Sequence, residues 1–411
     1  MADSDIVQHL LVQSESCRRG SSPAKDIDAT HRDPDAGRIR QTTRGLQRKL
    51  QFRDSPMPDE DVDHMSRGAI IPGERDQVLI DLALQGGGAH GAFTWGVLDR
   101  LMEEPWLRID GISGTSAGAM NAAVLIDGYE RGGRAGARAA LEAFWDGVSR
   151  AACFSPFRRS PLDVMLGRWT LDHSPLYLAV DLMARVFSPY DLNPGGFNPL
   201  ERVLAATVDF GRIARSAIKL FVTATNVHTG RGRVFRNADI TAEVLLASAC
   251  LPTMFQAVKI DGEYYWDGGY SGNPTITPLV RECVSQDTII VQVNPVERPG
   301  SPQSAREILN RLNEVSFNAV LLKELRMMAL LRQVAPADNS EGAKWAAMRM
   351  HRIASDVVAG LGSSSKLNAE WPFLTMLRDE GRRCADVFLA EHGPDVGRRP
   401  TFDLDRLLEG V

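Results

Sequence analysis

The first long apolar stretch of the chain spans Val78–Leu84 and is interrupted only by Asp81. A run of this length is typical of a buried strand, and three consecutive glycines follow it at 86–88. From residue 92 to residue 104 apolar side chains recur at helical spacing, and Pro105 ends the pattern. The sequence therefore predicts a strand, a glycine-rich loop and a crossover helix in succession.

The same succession repeats directly afterwards. The short apolar run 109–113 predicts a second strand, and the alanine-rich stretch 117–129 predicts a second buried helix. Alternating strands and helices imply a parallel sheet. Later apolar runs at 218–225 and 288–293 predict further strands, and 258–266 predicts a hairpin. We expect an α/β core with a mostly parallel central sheet and some antiparallel pairing.

The two ends of the chain differ from this core. After about residue 301 the pattern is helical to the end, with a polar break near 336–342. Residues 1–75 contain nearly equal numbers of acidic and basic side chains and a single aromatic one, so they cannot bury enough apolar surface to offset the entropy of ordering. We expect a disordered tail at 1–75, a core at 76–300 and a C-terminal helical extension at 301–411 that packs on the core.

Composition and charge exclude several classes of function. The 411 residues include 47 Lys and Arg against 52 Asp and Glu, a net charge of -5, so no basic field exists to collect nucleic acid. The longest nearly apolar stretch, 244–255, is shorter than the roughly 20 residues of a membrane-spanning helix, and Pro252 interrupts it. The acidic N-terminus does not resemble a secretory signal. We expect a cytoplasmic protein, or one peripheral at the membrane.

The cysteines suggest no structural role. The sequence contains no CxxC pair, so neither a disulfide framework nor a zinc site is indicated. It also lacks a calcium-loop pattern. We therefore expect a reducing compartment and a protein that works without a metal or a cofactor. The five cysteines lie at positions 17, 153, 250, 283 and 384.

A candidate nucleophile follows the second predicted strand. The motif Gly114-Thr115-Ser116-Ala117-Gly118 lies between that strand and the alanine-rich helix, which is the context of a nucleophile elbow. A serine on so sharp a turn needs small neighbours, here Gly114 and Gly118, to let chain segments approach closely. Its Oγ then projects over the N-terminus of the next helix, where the dipole favours developing negative charge.

The glycine-rich loop Gly86-Gly87-Gly88-Ala89-His90-Gly91 allows two interpretations. It fits G-x-G-x-x-G, and Asp110 lies near the expected position of a ribose-binding carboxylate, so a dinucleotide site is one of them. In the other, the backbone N–H groups of Gly86, Gly87 and Gly88 form an oxyanion hole for acyl transfer. We favour the oxyanion hole, because a dinucleotide site leaves the serine elbow unexplained.

The base that would activate the serine is not marked by any histidine. Asp267, followed by two glycines, ends a predicted strand, and a partly desolvated carboxylate can accept the Ser Oγ proton directly. A Ser-Asp-His order that uses Asp267 with His351 or His392 is also available. Both histidines lie in sequence with an amphipathic helical pattern, where a surface role is expected.

The motifs GGGAHG, GTSAG and DGG, in this order, resemble those of the patatin-like phospholipase family. The segments 247–255 and 269–274 are similar to the family's sequence around the aspartate, and 188–193 and 364–368 are similar to segments of its bacterial branch. The resemblance covers about residues 76–408.

This resemblance implies a three-layer α/β/α hydrolase and lipid acyl hydrolysis through a Ser-Asp dyad and an acyl-enzyme. It makes Ser116 the nucleophile, Asp267 the general base and the backbone of Gly86–Gly88, chiefly Gly87 and Gly88, the oxyanion hole. The substrate would be a lipid ester, as for a phospholipase A or a lysophospholipase, met in transient contact with a membrane surface. The alternative is a catalytically silent lipid-binding or scaffolding protein of the same fold.

Two further features carry expectations. His90 stands where the family often has Arg or Lys, and we expect its imidazole to anchor the loop. The sequence between the elbow and Asp267 is rich in large apolar residues, which we expect to form mostly the core of a cap. The alternative is direct contact with an acyl chain, in a channel whose lid would present apolar surface to a bilayer. They are Trp145, Phe154, Phe157, Met165, Trp169, Leu171, Leu176, Tyr177, Leu178, Met183 and Phe187.

The tail generates a testable prediction, because residues 37–53 contain six basic and no acidic side chains in a pattern compatible with an amphipathic helix. Removing residues 1–75 should weaken the salt-sensitive binding of the protein to anionic liposomes and leave hydrolysis of a soluble ester nearly intact. Unchanged liposome binding after truncation would reduce the tail to a solvated spacer.

Overall fold

The computed structural model describes residues 75–155, 157–335, 338 and 340–409. The predicted tail, with its basic segment 37–53, lies outside these residues apart from Arg75. None of the described helices is both long enough and apolar enough to cross a membrane.

Eight strands form one sheet in the described part of the chain. Its order is β5-β6-β3-β2-β1-β7-β8, and β4 also pairs with β3. Pairing is parallel from β3 through β2, β1 and β7 to β8, and antiparallel where β4, β5 and β6 join the edge. The strands are β1 (Val78–Leu84), β2 (Leu107–Gly114), β3 (Lys219–Asn226), β4 (Gly232–Arg236), β5 (Val258–Ile260), β6 (Glu263–Asp267), β7 (Asp287–Val291) and β8 (Arg349–Ile353).

The helices of the described part fall between these strands and after them. The second helix is longer than the sequence predicts, and its backbone leaves helical geometry at Gly132 and Gly133, close to the predicted end at Tyr129. The helices are α1 (Gly91–Leu101), α2 (Ala117–Ala151), α3 (Pro161–Met165), α4 (Pro175–Met183), α5 (Pro189–Leu192), α6 (Pro199–Thr207), α7 (Phe210–Arg215), α8 (Ala242–Ser248), α9 (Thr277–Glu282), α10 (Ala305–Val334), α11 (Glu341–Ala347), α12 (Asp356–Gly360) and α13 (Trp371–His392).

Hydrophobic cores lie on both faces of the sheet. Ile80, Leu82 and Leu84 of β1 belong to one core, together with buried side chains of α1, α2 and α13. Ala83, between them in sequence, belongs to the other core, with buried side chains of α9, α10 and α11. Successive side chains of a strand point to opposite faces, so β1 supplies both cores at once. The predicted three-layer α/β/α arrangement is confirmed.

The C-terminal region is mainly helical, as predicted, but it also contributes strand β8. The sequence pattern predicts helix around His351, and this prediction is wrong: His351 lies in β8 opposite Ile289 of β7 and is fully buried. A strand of five residues is too short to establish its own periodicity. Its conformation is decided by pairing with β7, whose position in the sheet only the whole fold determines.

Helices α1 and α13 pack against each other through glycine. A Cβ atom built on Gly96 of α1 would overlap the carbonyl oxygen of Arg378 in α13, and one built on Gly381 of α13 would overlap the carbonyl oxygen of Phe93 in α1. The two backbones therefore approach so closely that neither helix has room for a side chain at the crossing.

We expect Gly96→Ala to lower the free energy of unfolding by about 1–3 kcal/mol, the usual cost of overpacking a filled interior. Urea-induced unfolding measures the change. Gly360→Ala at the end of α12 is the matched control, because no described atom outside its chain neighbours and the backbone of its own helix lies within 4 Å of its Cβ position. Unfolding midpoints that are equal for both variants and the wild type would contradict the close packing of the helices.

Candidate active site

The elbow is a strained turn between β2 and α2. Ser116 has a φ angle of 53°, in the left-handed region that non-glycine residues rarely adopt. Its backbone N–H donates to the Ser248 hydroxyl at 2.9 Å, and that hydroxyl donates to the carbonyl of Thr223 at 2.7 Å. Strand β3 and helix α8 therefore hold the serine in this conformation.

The two elbow glycines provide space for neighbouring backbone. A Cβ atom on Gly118 would overlap the carbonyl oxygen of Leu84 at the end of β1, and one on Gly114 would lie 2.8 Å from the backbone nitrogen of Ala119. Any larger residue would push α2 away from the end of the sheet. The small neighbours expected for an elbow are therefore required by backbone contacts.

Asp267 lies at the end of β6 and is only 2% exposed. One carboxylate oxygen accepts the backbone N–H of Gly269 at 2.7 Å. Burial raises the pKa of Asp267 to about 7, although the Gly269 N–H, the Ser116 hydroxyl and the charge of Lys366 each favour the ionised form. The structure thus brings Ser116 and Asp267 together and gives the carboxylate basicity near neutral pH.

The glycine-rich loop lies directly against the elbow. A Cβ atom on Gly86 would be 2.7 Å from the Cβ atom of Ser116. Gly88 has a φ angle of 59°, and a Cβ atom there would overlap the carbonyl oxygen of Lys366, so this position requires glycine on both counts.

One of the three expected oxyanion donors is already occupied. The N–H of Gly86 donates to the Asn273 side chain at 2.7 Å, so the expectation that it serves as an oxyanion donor is wrong. Among the described residues no acceptor bonds the N–H groups of Gly87 and Gly88. These two groups remain available beside Ser116.

A network of amides, which the sequence analysis missed, holds the Gly86 peptide. The Asn294 side chain donates to the carbonyl of Gly86 at 2.6 Å and accepts the Lys366 ammonium at 2.7 Å. The Gln85 side chain accepts the N–H groups of Val293 and Asn294, both at 3.0 Å. Gln85 and Asn294 are polar residues that directly follow predicted strands, which is the signal that would have found them.

Lys366 is enclosed beside this network. Burial lowers the pKa of its ammonium to about 8, and the charge of Arg298 acts in the same direction, whereas Glu314 and Asp267 oppose it. The sequence analysis noted the segment 364–368 only as a similarity and gave this lysine no role. The structure makes its charge one of the influences on the Asp267 carboxylate.

His90 contacts the C-terminal region rather than the serine. Its Nε2 atom lies 2.7 Å from the Ser365 hydroxyl, which itself donates to the carbonyl of Gly362 at 2.6 Å. The imidazole must therefore donate through Nε2. Burial, with the charges of Lys366 and Arg298, lowers the pKa of His90 well below its usual value, so the ring is neutral and links the glycine loop to residues 362–365.

Neither C-terminal histidine can complete a triad with Ser116. His351 lies on β8, three strands from β2 and hence about 14 Å away across the sheet, and both its ring nitrogens are bonded, to Thr401 and Asp287. His392 precedes Gly393, which faces Trp106 at the beginning of β2, the opposite end of that strand from the elbow.

The dinucleotide interpretation is also wrong. Asp110, its candidate ribose ligand, lies within β2, and its carboxylate binds the Lys219 ammonium and the backbone N–H groups of Val284 and Ser285. Asp110 belongs to the one described group with metal-type ligand atoms within 4.8 Å of one another, formed with Asp81 and Cys283. This group lies several residues before the elbow along the strands and does not adjoin Ser116.

Fold and site together define a class of protein: an α/β protein in which a serine on a strand–turn–helix elbow lies near a buried carboxylate, with a glycine loop packed against the elbow. Residues 82–280 match the sequence model of the patatin-like phospholipase family. The match places residues 82–280 in this family, whose name describes lipid hydrolases. Comparison with curated proteins returns no match.

Two solved structures are similar to this chain. VipD from Legionella pneumophila is 16% identical, with a TM-score of 0.31, over 75% of this chain and 67% of that one. The ExoU–SpcU complex of the type III secretion system of Pseudomonas aeruginosa contains a chain that is 19% identical, with a TM-score of 0.27, over 66% of this chain. The present chain covers 57% of that second chain.

Proposed function

We propose that the protein is a lipid acyl hydrolase of the phospholipase A or lysophospholipase type and that it works through a Ser116–Asp267 dyad. One observation carries this proposal: the serine on the strained elbow meets a buried carboxylate whose pKa is raised to about 7. The free N–H groups of Gly87 and Gly88 lie on the adjacent loop, as acyl transfer to a serine requires.

The first half of the reaction forms an acyl-enzyme. Ser116 Oγ attacks the ester carbonyl carbon while its proton passes to the Asp267 carboxylate, and the carbonyl π electrons move onto oxygen. The N–H groups of Gly87 and Gly88 stabilise this oxyanion. When the tetrahedral intermediate collapses, the bond to the alcohol breaks and the departing alkoxide takes the proton from Asp267.

The second half releases the fatty acid. Water attacks the acyl carbon, Asp267 accepts a proton from it, and a second tetrahedral intermediate forms in the same donor site. Collapse breaks the bond to Ser116 Oγ, which recovers its proton from Asp267. The carboxylate therefore acts as base and then as acid in each half, a role suited to a group with a pKa near neutral.

A silent lipid-binding or scaffolding protein remains the competing proposal. A silent protein of this kind needs no carboxylate beside Ser116 to accept its proton. The raised pKa of Asp267 and the strained φ angle of Ser116 favour the enzyme, because such features are unfavourable for stability and cluster at reactive sites.

We expect Asp267→Asn to lower kcat/KM on a short-chain ester by about 10²- to 10⁴-fold, because the variant keeps the shape of the side chain and removes the proton acceptor. Ser116→Ala should abolish labelling by a fluorophosphonate probe. His392→Ala should stay within a few-fold of the wild type, and circular dichroism should show all variants folded. Near-wild-type activity of Asp267→Asn would refute the dyad, and a wild type that the probe does not label would favour the silent scaffold.

The pH dependence of the reaction gives a second test. The dyad needs an ionised Asp267, so kcat/KM should rise with pH and reach half its plateau near the carboxyl pKa of about 7. The Lys366 charge lowers this pKa, so Lys366→Met should move the midpoint to higher pH, whereas Lys366→Arg should keep it close to the wild-type value. An unchanged midpoint in Lys366→Met would show that the lysine charge does not act on the base.

A further inference from the structure

Residues 157–197, which we call the cap segment, expose an unusual amount of apolar surface. Thirteen of the twenty-five large apolar side chains that are exposed in the described part of the chain lie in this one segment. The most exposed are Met165 (77%), Val186 (72%) and Leu182 (64%). Five of the residues expected to form the core of a cap are instead exposed, whereas Trp145 and Leu171 of the same group are buried. The exposed five are Met165, Leu176, Leu178, Met183 and Phe187.

The composition of helix α4 indicates whether a protein or a membrane covers this surface. Its sequence, Pro-Leu-Tyr-Leu-Ala-Val-Asp-Leu-Met, is apolar apart from Asp181 and the hydroxyl of Tyr177, yet none of its nine residues is buried. A helix this rich in apolar residues belongs in an apolar medium. A protein partner would cover one side of such a helix, whereas the interfacial layer of a membrane can surround it.

The cap segment is attached on both sides of the candidate site. At one side the Ser364 hydroxyl accepts the N–H of Leu171 at 3.1 Å, and the next residue, Ser365, contacts His90 of the glycine loop. At the other side the Gln256 side chain donates to the carbonyl of Asn193 at 2.7 Å. This second contact lies just after Cys250, whose carbonyl accepts the backbone N–H of Asp267 at 2.8 Å. The cap segment is therefore hydrogen-bonded to residues that lie close in sequence to those in contact with the glycine loop and with Asp267.

The charges of the cap segment balance. The segment contains four arginines and four aspartates, and it has no lysine or glutamate. A surface without net charge gains nothing from anionic headgroups, so its attraction to a membrane comes from apolar burial. The charged residues are Arg158, Arg159, Arg168 and Arg185, and Asp163, Asp172, Asp181 and Asp191.

We propose that the cap segment is the surface by which the protein docks on a lipid bilayer, with α4 and the turn after it inserted among the headgroups of zwitterionic lipid. The proposal rests on the proposed function, because a lipid hydrolase must bring its elbow to the bilayer surface. It assigns membrane contact to the folded domain, independently of the basic tail.

The test uses the full chain with Ser116→Ala, so that vesicle lipid is not consumed. Co-sedimentation with phosphatidylcholine vesicles measures partitioning at low and high NaCl. Leu182→Ser combined with Val186→Ser should reduce binding at least about tenfold, since two largely exposed apolar side chains lose their burial in lipid. The matched control, Val284→Ser with Val334→Ser, removes side chains of similar exposure outside the cap segment and should bind as the parent does.

Several outcomes would overturn the proposal. The first is equal binding by the cap variant and its parent. The second is binding that needs anionic lipid and disappears in salt. The third is a cap variant that is monomeric where the parent is a dimer, because a second copy of the chain would then cover the cap segment. If a chain without residues 1–74 binds the vesicles and the full chain does not, residues 1–74 cover the cap segment in the full chain. In the wild-type background, fluorophosphonate labelling should be the same with and without the cap substitutions. Binding without labelling would thus refute the proposed function while leaving the docking surface intact.

Discussion

The candidate site depends on a carboxylate that is almost sealed from water. Burying an ionised group is strongly unfavourable unless hydrogen bonds and charges compensate the loss of hydration. At Asp267 the hydrogen bonds and charges compensate this loss only in part. The same chain contains the opposite case. Burial alone would raise the pKa of Asp287, but hydrogen bonds from His351 and Arg349 outweigh this effect and lower the pKa to about 2. A carboxylate held so firmly as an anion could not accept a serine proton.

Two asparagine side chains from distant parts of the fold position the glycine loop beside the elbow. Its first peptide is fixed from both sides, by Asn273 after β6 and by Asn294 after β7. With Gly86 held in this way, the loop also positions the next two N–H groups, which no acceptor among the described residues bonds. As the oxyanion donors that we propose, they would need no reorganisation when charge develops, which is the main electrostatic advantage of a protein site over water.

The sequence was sufficient for what depends on neighbours along the chain. The strand–loop–helix order, the elbow and the aspartate at a strand end follow from local patterns, and the structure places all of them as expected. The position of Asn294 directly after a predicted strand also marks it, but Asn273 and Lys366 could not be predicted in the same way, because each acts on a residue far away in sequence. The exposed side chains of α4 show a second limit, since an apolar pattern predicts burial without specifying whether protein or lipid provides it.

The link between His90 and Ser365 has a consequence for how the protein is made. The loop that carries Gly87 and Gly88 forms near the beginning of the described chain, but the segment that packs on it follows some 275 residues later. Chains emerge from the ribosome in order, and contacts between distant residues form late. A nascent chain thus contains Ser116 and Asp267 before residues 362–365, which secure the loop beside the elbow, have been synthesised.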